Sequence, residues 1–145
     1  MENAFDEAHK NLYIGAQRAA NPPHVYAVVQ DCYFGLFNKT IAGPPSSHAM
    51  VITGESGAGK TFTTGKVLGF IDSINSSVTS KRMEYSEAHG SITERIMATM
   101  PIMDAFGNAC MPRNDDSSRF GKLYKIYFSK QKQTVSALNP HTTQA

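Results

Sequence analysis

The sequence of 145 residues contains no tryptophan and only two cysteines, Cys32 and Cys110. Two cysteines so far apart provide neither a metal-ligand spacing nor a disulfide framework, and reduced thiols in a cytosolic protein are the simplest interpretation. No apolar run approaches the ~18 residues that span a bilayer. Because the opening residues are acidic and have no apolar core, we expect neither a signal peptide nor a membrane span.

Acidic residues are missing from the end of the chain. From Ser117 to Ala145 there is no Asp or Glu, but there are five bases: Arg119, Lys122, Lys125, Lys130 and Lys132. The whole chain has 14 Lys+Arg and 12 Asp+Glu, so the net charge of +2 divides into +5 for this end and −3 for residues 1–116. One interpretation is a basic surface that binds an acidic partner. Nucleic-acid binding through residues 119–132 is less favoured, because no recognised motif is present and such bases are typical of a strand with a solvated face.

Length and hydrophobic spacing indicate one globular domain that contains both helices and strands. With 41% hydrophobic and 18% charged residues, the composition is that of a folded chain. Apolar residues at helical spacing predict helices over 25–36, over 60–75, and from Ser91 towards Gly107 with a Ser91–Glu94 capping box and a kink at Pro101. Short apolar or alternating runs predict strands over Ala49–Thr53, Leu123–Phe128 and, more weakly, Thr134–Leu138. Breaker-rich stretches predict loops over 37–48, 76–87 and 111–116, and residues 1–20 predict a marginal helix or a loose end.

Residues 54–61, Gly-Glu-Ser-Gly-Ala-Gly-Lys-Thr, match the phosphate-binding pattern G-x-x-x-x-G-K-[ST]. Glycines allow backbone N–H groups to face a phosphate without Cβ clashes, and the helix that begins at Lys60 directs its positive end at the same anion. Lys60 can reach the outer phosphates, and the Thr61 hydroxyl is placed to bind Mg²⁺. A chance match in a chain of this length is roughly a one-in-a-few-hundred event. The sequence therefore predicts a nucleotide phosphate site.

Nucleotide hydrolysis also requires a carboxylate near the metal, usually at the end of an apolar strand. Downstream of Thr61, Asp72 and Asp104 fall inside predicted helices, and no carboxylate follows the strand Leu123–Phe128. The residues by themselves thus predict a phosphate site without an identified hydrolytic acid.

Four blocks, in the same order, resemble the motor domain of the myosin family. They are Pro22–Tyr33 with Tyr13, Gly15 and Arg18 before it, the strand and loop Met50–Thr61, the segment Pro101–Ala109, and Arg113–Lys122, which is similar to switch I (Arg-Asn-x-Asn-Ser-Ser-Arg-Phe-Gly-Lys). The resemblance implies an α/β fold of the P-loop NTPase type, here a partial mixed sheet with flanking helices from an incomplete motor core. It divides residues 1–145 into a lead-in (1–20), a helix and loop (21–48), a strand, P-loop and helix (49–75), a helix, switch I and strand (91–128) and a tail (129–145).

The resemblance also implies a site for ATP and Mg²⁺. The nucleotide would be held by Gly54, Glu55, Ser56, Gly57, Ala58, Gly59, Lys60, Thr61, Asn114 and Ser118, and Mg²⁺ by Thr61 and Ser118. Lys60, Ser117 and Arg119 would be catalytic, with Ser117 beside the attacking water and Arg119 paired to switch II. Without the resemblance, the Asn, Asp and Ser residues of 113–118 are typical of a turn-rich loop, and Gly107 and Phe106 of a helix C-cap and a core aromatic.

This sequence departs from the family pattern in several places. Asp116 stands where the family has Asn, and a carboxylate there repels a polyphosphate unless Mg²⁺ or Arg119 offsets it. Phe62 and Thr63 replace Glu-Asn, and Asn21-Pro22 lies in the wrong place for the purine-side loop, so adenine contacts are not assigned. The Asp-x-x-Gly-x-Glu of switch II does not occur. Arg119 therefore lacks its family partner, and the two main predicted strands lack the strand that lies between them in the family.

From the resemblance we expect the ATP-binding segment of an actin-based motor, cytoplasmic and associated with the cytoskeleton, which in the intact protein couples Mg·ATP hydrolysis to movement on actin. The parts that bind actin are missing from this chain, so the chain alone is expected to be catalytically incomplete, as a fragment or truncated product. The alternative is a degenerate, non-catalytic nucleotide-binding or interaction module with a basic C-terminal end.

Overall fold

The structure is a computed structural model that describes residues 2–37, 47–78, 91–129 and 134–144. Its helices are α1 (Glu7–Asn11), α2 (Val25–Phe37), α3 (Lys60–Val78) and α4 (Ile92–Gly107), with 3-10 turns at Glu2–Phe5 and Arg18–Ala20. Its strands are β1 (Asn108–Met111), β2 (Asn114–Ser118), β3 (Phe120–Ser129) and β4 (Thr134–Gln144). None of the described helices is long and apolar enough to cross a membrane.

The three predicted helices are confirmed as α2, α3 and α4. The capping box at the start of α4 is present, because Ser91 Oγ accepts from Glu94 N at 3.1 Å and Ser91 N donates to Glu94 Oε2 at 2.8 Å. The helix continues through Pro101 to Gly107. In the lead-in, the short helix α1 begins after Asp6, whose carboxylate accepts from His9 N at 2.6 Å.

The main core lies between α2, α3 and the lead-in. Tyr26 of α2 stacks on Phe70 of α3, with ring centroids 4.3 Å apart and planes 15° from parallel. Tyr13 of the lead-in is buried beside them, and its hydroxyl donates to Pro22 O at 3.0 Å. The buried cluster consists of Tyr13, Tyr26, Ala27, Val29, Tyr33, Val67, Phe70 and Ile74. Burial of one large apolar side chain stabilises a fold by roughly 1.5–3 kcal/mol, so these residues hold the phosphate-loop helix in place.

The prediction of a strand over Ala49–Thr53 is wrong, and so is the mixed sheet that would contain it. Within the described residues, 47–54 have no sheet partner, and the two sheets are separate antiparallel hairpins. Met50 and Ile52 still pack against the core, whereas Val51 is 82% exposed. Burial therefore alternates along this apolar run as it would in a strand, but a strand also needs a neighbour for its hydrogen bonds, and β3 pairs with β4 instead.

The strands predicted over Leu123–Phe128 and Thr134–Leu138 are confirmed as parts of β3 and β4, which are both longer. They pair from Phe120↔Gln144 to Ser129↔Thr134, with one irregularity. The loop predicted over 111–116 is wrong in part, because residues from Asn114 onward form β2, which pairs with β1. The sequence Asn-Asp-Asp-Ser-Ser has low β-propensity, so its pairing is set by the hairpin and not by local preference.

The end of α4 and the start of β3 meet closely. Arg119 N donates to Gly107 O at 3.0 Å, which closes the β1–β2 hairpin at its base. The Phe120 ring lies against Gly107, where an added Cβ would come within 2.3 Å of ring carbons. The predicted roles of a C-cap for Gly107 and a core aromatic for Phe106 are wrong, because Asn108 is the cap and Phe106 is 89% exposed. Phe120 takes the packing place beside the helix end.

Candidate functional site

The loop of residues 54–59 leads directly into α3. Gly57 and Gly59 have φ angles of +82° and +83°, which L side chains rarely adopt. Ala58 N donates to Glu55 O at 3.2 Å, and Thr63 N donates to Gly59 O at 2.9 Å as the helix begins. The first N–H groups of a helix have no carbonyl partner within the helix, so the start of α3 presents donors and a partial positive charge to this loop.

The Lys60 side chain folds back over the loop. Its ammonium donates to Gly54 O and to Glu55 O, both at 2.7 Å. An ammonium group has three donors, so one remains for another acceptor. The positive charge predicted for this position is therefore held at the loop by the loop's own carbonyls.

Side chains of the β1–β2 hairpin reach the phosphate loop across a long stretch of chain. The hydroxyls of Ser56 and Ser117 are 2.8 Å apart, although 61 positions separate them. Asn114 Nδ2 also donates to Ser56 Oγ, at 3.0 Å. Ser117 is 1% exposed, so its buried hydroxyl meets an exposed Ser56. The structure thus brings together three of the predicted site residues, Ser56, Asn114 and Ser117.

Asp116 is held within the hairpin. Asn108 Nδ2 donates to Asp116 Oδ1 at 2.7 Å, and Asn114 contacts the backbone N and O of Asp116 at 3.3 Å each. The carboxylate that was expected to need Mg²⁺ or Arg119 as a partner is thus bonded to a neutral amide. Sequence reasoning missed this role of Asn108, and no pattern within one sequence marks it.

The remaining predicted residues are not brought together. Thr61, Ser118 and Arg119 are exposed. In the described part of the chain, no hydrogen bond joins Thr61 to Ser118, and the Arg119 guanidinium forms no ion pair. Lys122 instead pairs with Asp104 of α4 at 2.7 Å, and its ammonium lies 5.1 Å from the Phe120 ring centroid. Asp104 is therefore occupied by an ion pair.

Phe62, which departs from the resemblance, has a packing role. Its ring meets that of Phe5 edge-on, with centroids 5.4 Å apart. Lys66 Nζ lies 5.2 Å from the Phe62 centroid and 5.6 Å from that of Phe5. The residue after Thr61 therefore ties the lead-in to the first turn of α3. Sequence reasoning noted Phe62 but assigned it no contact, because nothing in the pattern connects positions 5 and 62.

Comparison with known proteins adds to this geometry. The family described as myosin head (motor domain) matches residues 2–139. The chain belongs to the myosin motor-domain family. It is similar to Myosin-2 of Saccharomyces cerevisiae, with 36% identity over 140 residues, and to Myosin-1 of Caenorhabditis elegans, with 35% identity over 126 residues. These alignments cover 94% and 87% of this chain but 8% and 6% of the two relatives, so the chain spans less than a tenth of their length. The resemblance of this chain to the myosin motor domain is thereby confirmed.

The donors at the myosin-like loop suit a polyphosphate with a divalent cation. They include the Lys60 ammonium, the exposed Thr61 hydroxyl and the Asn114 amide, which donates to Ser56, whereas Ser118 has no hydrogen-bond contact with the loop among the described residues. At Gly59 no atom lies within 4 Å of the position that a Cβ would take, so the loop faces open space there. Ammonium and amide donors match phosphate oxygens, and hydroxyl oxygens are acceptable ligands for Mg²⁺.

Proposed function

We propose that this chain binds Mg·ATP at the Gly54–Thr61 loop, as the P-loop part of an actin-based myosin motor. The observation that carries the proposal is the contact of Ser56 with both Ser117 and Asn114. It joins the phosphate loop to the segment that resembles switch I, and both segments are needed around one nucleotide.

Each residue has a role that follows from its chemistry. The N–H groups of 54–59 and the start of α3 would bind phosphate oxygens, and Lys60 would add a positive charge at the outer phosphates. Thr61 and Ser118 would hold Mg²⁺, which when bound neutralises charge on the phosphate oxygens. Asn114 would contact the phosphates, Ser117 would lie beside the attacking water, and Arg119 would close the site against a carboxylate.

For the 145-residue polypeptide alone we propose binding without turnover, because its sequence contains no Asp-x-x-Gly-x-Glu element to supply that carboxylate. In the whole motor, ATP binding and hydrolysis would drive movement on actin in the cytoplasm, as part of the cytoskeleton. The contacts with actin would come from other parts of that protein.

The alternative, an interaction module with a basic end, receives less support from the side chains. Lys122 is an ion-pair partner of Asp104 and its side chain is 11% exposed, so its charge is offset inside the fold. Lys130 and Lys132 lie outside the described residues. Less free positive charge is thus available for an acidic partner than the sequence alone suggests.

Titration with fluorescent Mg·ATP tests the proposal on the full chain. Replacing Lys60 by Ala removes a charged donor worth about 1.5–3 kcal/mol, so we expect binding at least tenfold weaker. Lys125→Ala, at an exposed lysine of β3, removes the same charge elsewhere and should change the Kd less than twofold. Binding that survives Lys60→Ala would show that the nucleotide sits at another place.

A further inference from the structure

The β1–β2 hairpin carries Asn114 and Ser117, which both contact Ser56 of the phosphate loop. Its strands have 4 and 5 residues, and their register shifts between Ala109 and Met111. A two-stranded hairpin of this kind is marginally stable in water by itself. The backbone ladder is therefore not enough to fix the place of these two side chains, and bonds from other side chains must contribute.

Asp116 provides such bonds in two directions. Its carboxylate accepts from Asn108 Nδ2 on the opposite strand at 2.7 Å, and its backbone N and O both meet the Asn114 side chain at 3.3 Å. Asn108 is the capping residue of α4, and its N–H donates to Asp104 O. A continuous chain of hydrogen bonds thus runs from the end of α4 through Asn108, Asp116 and Asn114 to Ser56.

We propose that Asp116 is a positioning residue, which through Asn108 holds Asn114 and Ser117 at the phosphate loop and so strengthens nucleotide binding. This inference rests on the proposed function of the loop. A hydrogen bond to an ionised acceptor is stronger than one between neutral groups, so a carboxylate at position 116 binds the Asn108 amide better than a neutral side chain of similar size.

Simple electrostatics makes the opposite prediction, and this makes the proposal testable. A carboxylate near a polyphosphate repels it, so removal of the Asp116 charge should tighten binding if charge were all that mattered. If positioning dominates, loss of the acceptor must weaken binding in spite of the lost repulsion. The two explanations therefore predict opposite signs for the change in the Kd of Mg·ATP when Asp116 is replaced by alanine.

The experiment titrates fluorescent Mg·ATP into the full chain and four variants. We expect Asp116→Ala to bind about three- to tenfold more weakly, less than the full value of a charged hydrogen bond, because the bond acts on the nucleotide only through Asn114 and Ser117 and the lost repulsion offsets part of the effect. Asn108→Ala breaks the same bond from the other side and should have a similar effect. Asp116→Asn keeps an acceptor for Asn108, weaker than the carboxylate, and removes the charge, so it should lose less binding than Asp116→Ala. Asp115→Ala, at an exposed neighbour of equal charge, should not weaken binding.

Two results would overturn the proposal. One is binding by Asp116→Ala that equals or exceeds that of the wild type. The other is an Asp116→Asn variant that loses as much binding as Asp116→Ala, because the asparagine side-chain oxygen should still accept from Asn108. Melting midpoints close to that of the wild type exclude unfolding as the cause of weaker binding. If Asp116→Ala does not fold, the binding of Asn108→Ala tests the proposal in its place.

A readout without nucleotide separates this inference from the proposed function. The side-chain amide resonances of Asn114 should shift in Asp116→Ala and stay in place in Asp115→Ala. The proposed function fails if the wild type does not bind Mg·ATP, or if Lys60→Ala leaves binding unchanged. In either case the Asn114 resonances still decide whether Asp116 positions Asn114. Unshifted resonances in Asp116→Ala would refute the positioning role.

Discussion

Gly59 is the last residue of the phosphate loop and Gly69 lies in the helix that follows it, and the two positions differ in their need for glycine. Gly59 has a φ of +83°, and nothing surrounds the place of its missing Cβ. Gly69 lies in the middle of α3 and also has open space, without a special φ. Gly65, one turn earlier, faces the Met97 methyl group, 3.0 Å from where a Cβ would be. Conformation therefore requires glycine at 59, close packing favours it at 65, and neither requires it at 69.

Alanine substitutions at two of these glycines should have opposite effects on the free energy of unfolding. Gly59→Ala should destabilise the chain by about 1–2 kcal/mol, because the left-handed region is strained for residues with a Cβ. Gly69→Ala should stabilise it by roughly 0.5–1 kcal/mol through the higher helix propensity of alanine. Urea denaturation followed by circular dichroism measures both. A stabilising Gly59→Ala would contradict the assigned loop conformation.

Single residues were predicted from the sequence where a motif fixes both type and spacing. The 54–61 pattern correctly identified Lys60 as the residue that starts α3. The contacts of Ser56 with Ser117, of Phe62 with Phe5 and of Asn108 with Asp116 could not be predicted. The first two join residues far apart in sequence, and the third depends on a hairpin register that includes an irregularity.

The N-terminus of α2 depends on a neutral histidine. His24 Nδ1 accepts from Tyr26 N at 3.1 Å, which a protonated imidazole cannot do. The ring of His24 lies 4.9 Å from that of His9 and 5.1 Å from that of Phe5. Burial lowers the pKa of His24 below its usual 6.5, and the neighbouring His9 lowers it further. A positive charge here would also oppose the dipole of the helix.

The stability of the chain should therefore depend on pH through His24. The pKa of His24 is lower in the folded state than in the unfolded state. The contribution of neutral His24 to the free energy of unfolding is therefore fully present above about pH 6.5, and it is lost as pH falls from there towards the folded pKa. Melting midpoints between pH 8 and pH 5 should fall more steeply for the wild type than for His24→Asn, whose side-chain oxygen can accept from Tyr26 N at every pH. Equal slopes in the two proteins would contradict the capping role.

Among the elements, helices were predicted better than strands. α3 and α4 have local signals, such as the Ser91–Glu94 box, that do not depend on distant residues. The segment Ala49–Thr53 is a strand-like apolar run but has no neighbour with which to pair among the described residues, whereas β2 pairs in spite of an unfavourable composition. Strand formation depends on a partner, and one sequence does not say which partner is available.

At the scale of the whole molecule, the described residues form one well-packed cluster and leave several large apolar side chains exposed. A cavity of about 530 Å³ lies between α2, α3 and β3, with Tyr33, Met50 and Tyr124 among its lining residues. The hydroxyls of Tyr33 and Tyr124 are buried and have no hydrogen-bond partner among the described residues. Burial raises the pKa of both tyrosines, since their charged forms are disfavoured there. Ile102 and Phe106 of α4 are 64% and 89% exposed.

Such a molecule should unfold in a broad thermal transition that depends on protein concentration. Unfilled space weakens the cooperativity of packing, and exposed apolar side chains favour self-association. Paired replacement of Ile102 and Phe106 by serine should reduce the concentration dependence and leave the low-concentration midpoint within about 3 °C, because each substitution at an exposed position changes stability by roughly 0.5 kcal/mol or less. Calorimetry at two concentrations gives both quantities. A sharp transition that is independent of concentration would contradict this expectation.

The single hydrogen bond between Arg119 N and Gly107 O has a mechanical consequence. Residues 108–118 leave the rest of the fold and return to it at one point, where Phe120 covers Gly107. The segment is therefore attached to the fold at this base and, through Asn114 and Ser117, at the Ser56 hydroxyl. Both of these side chains belong to β2, so any displacement of β2 from the phosphate loop would break both contacts with Ser56.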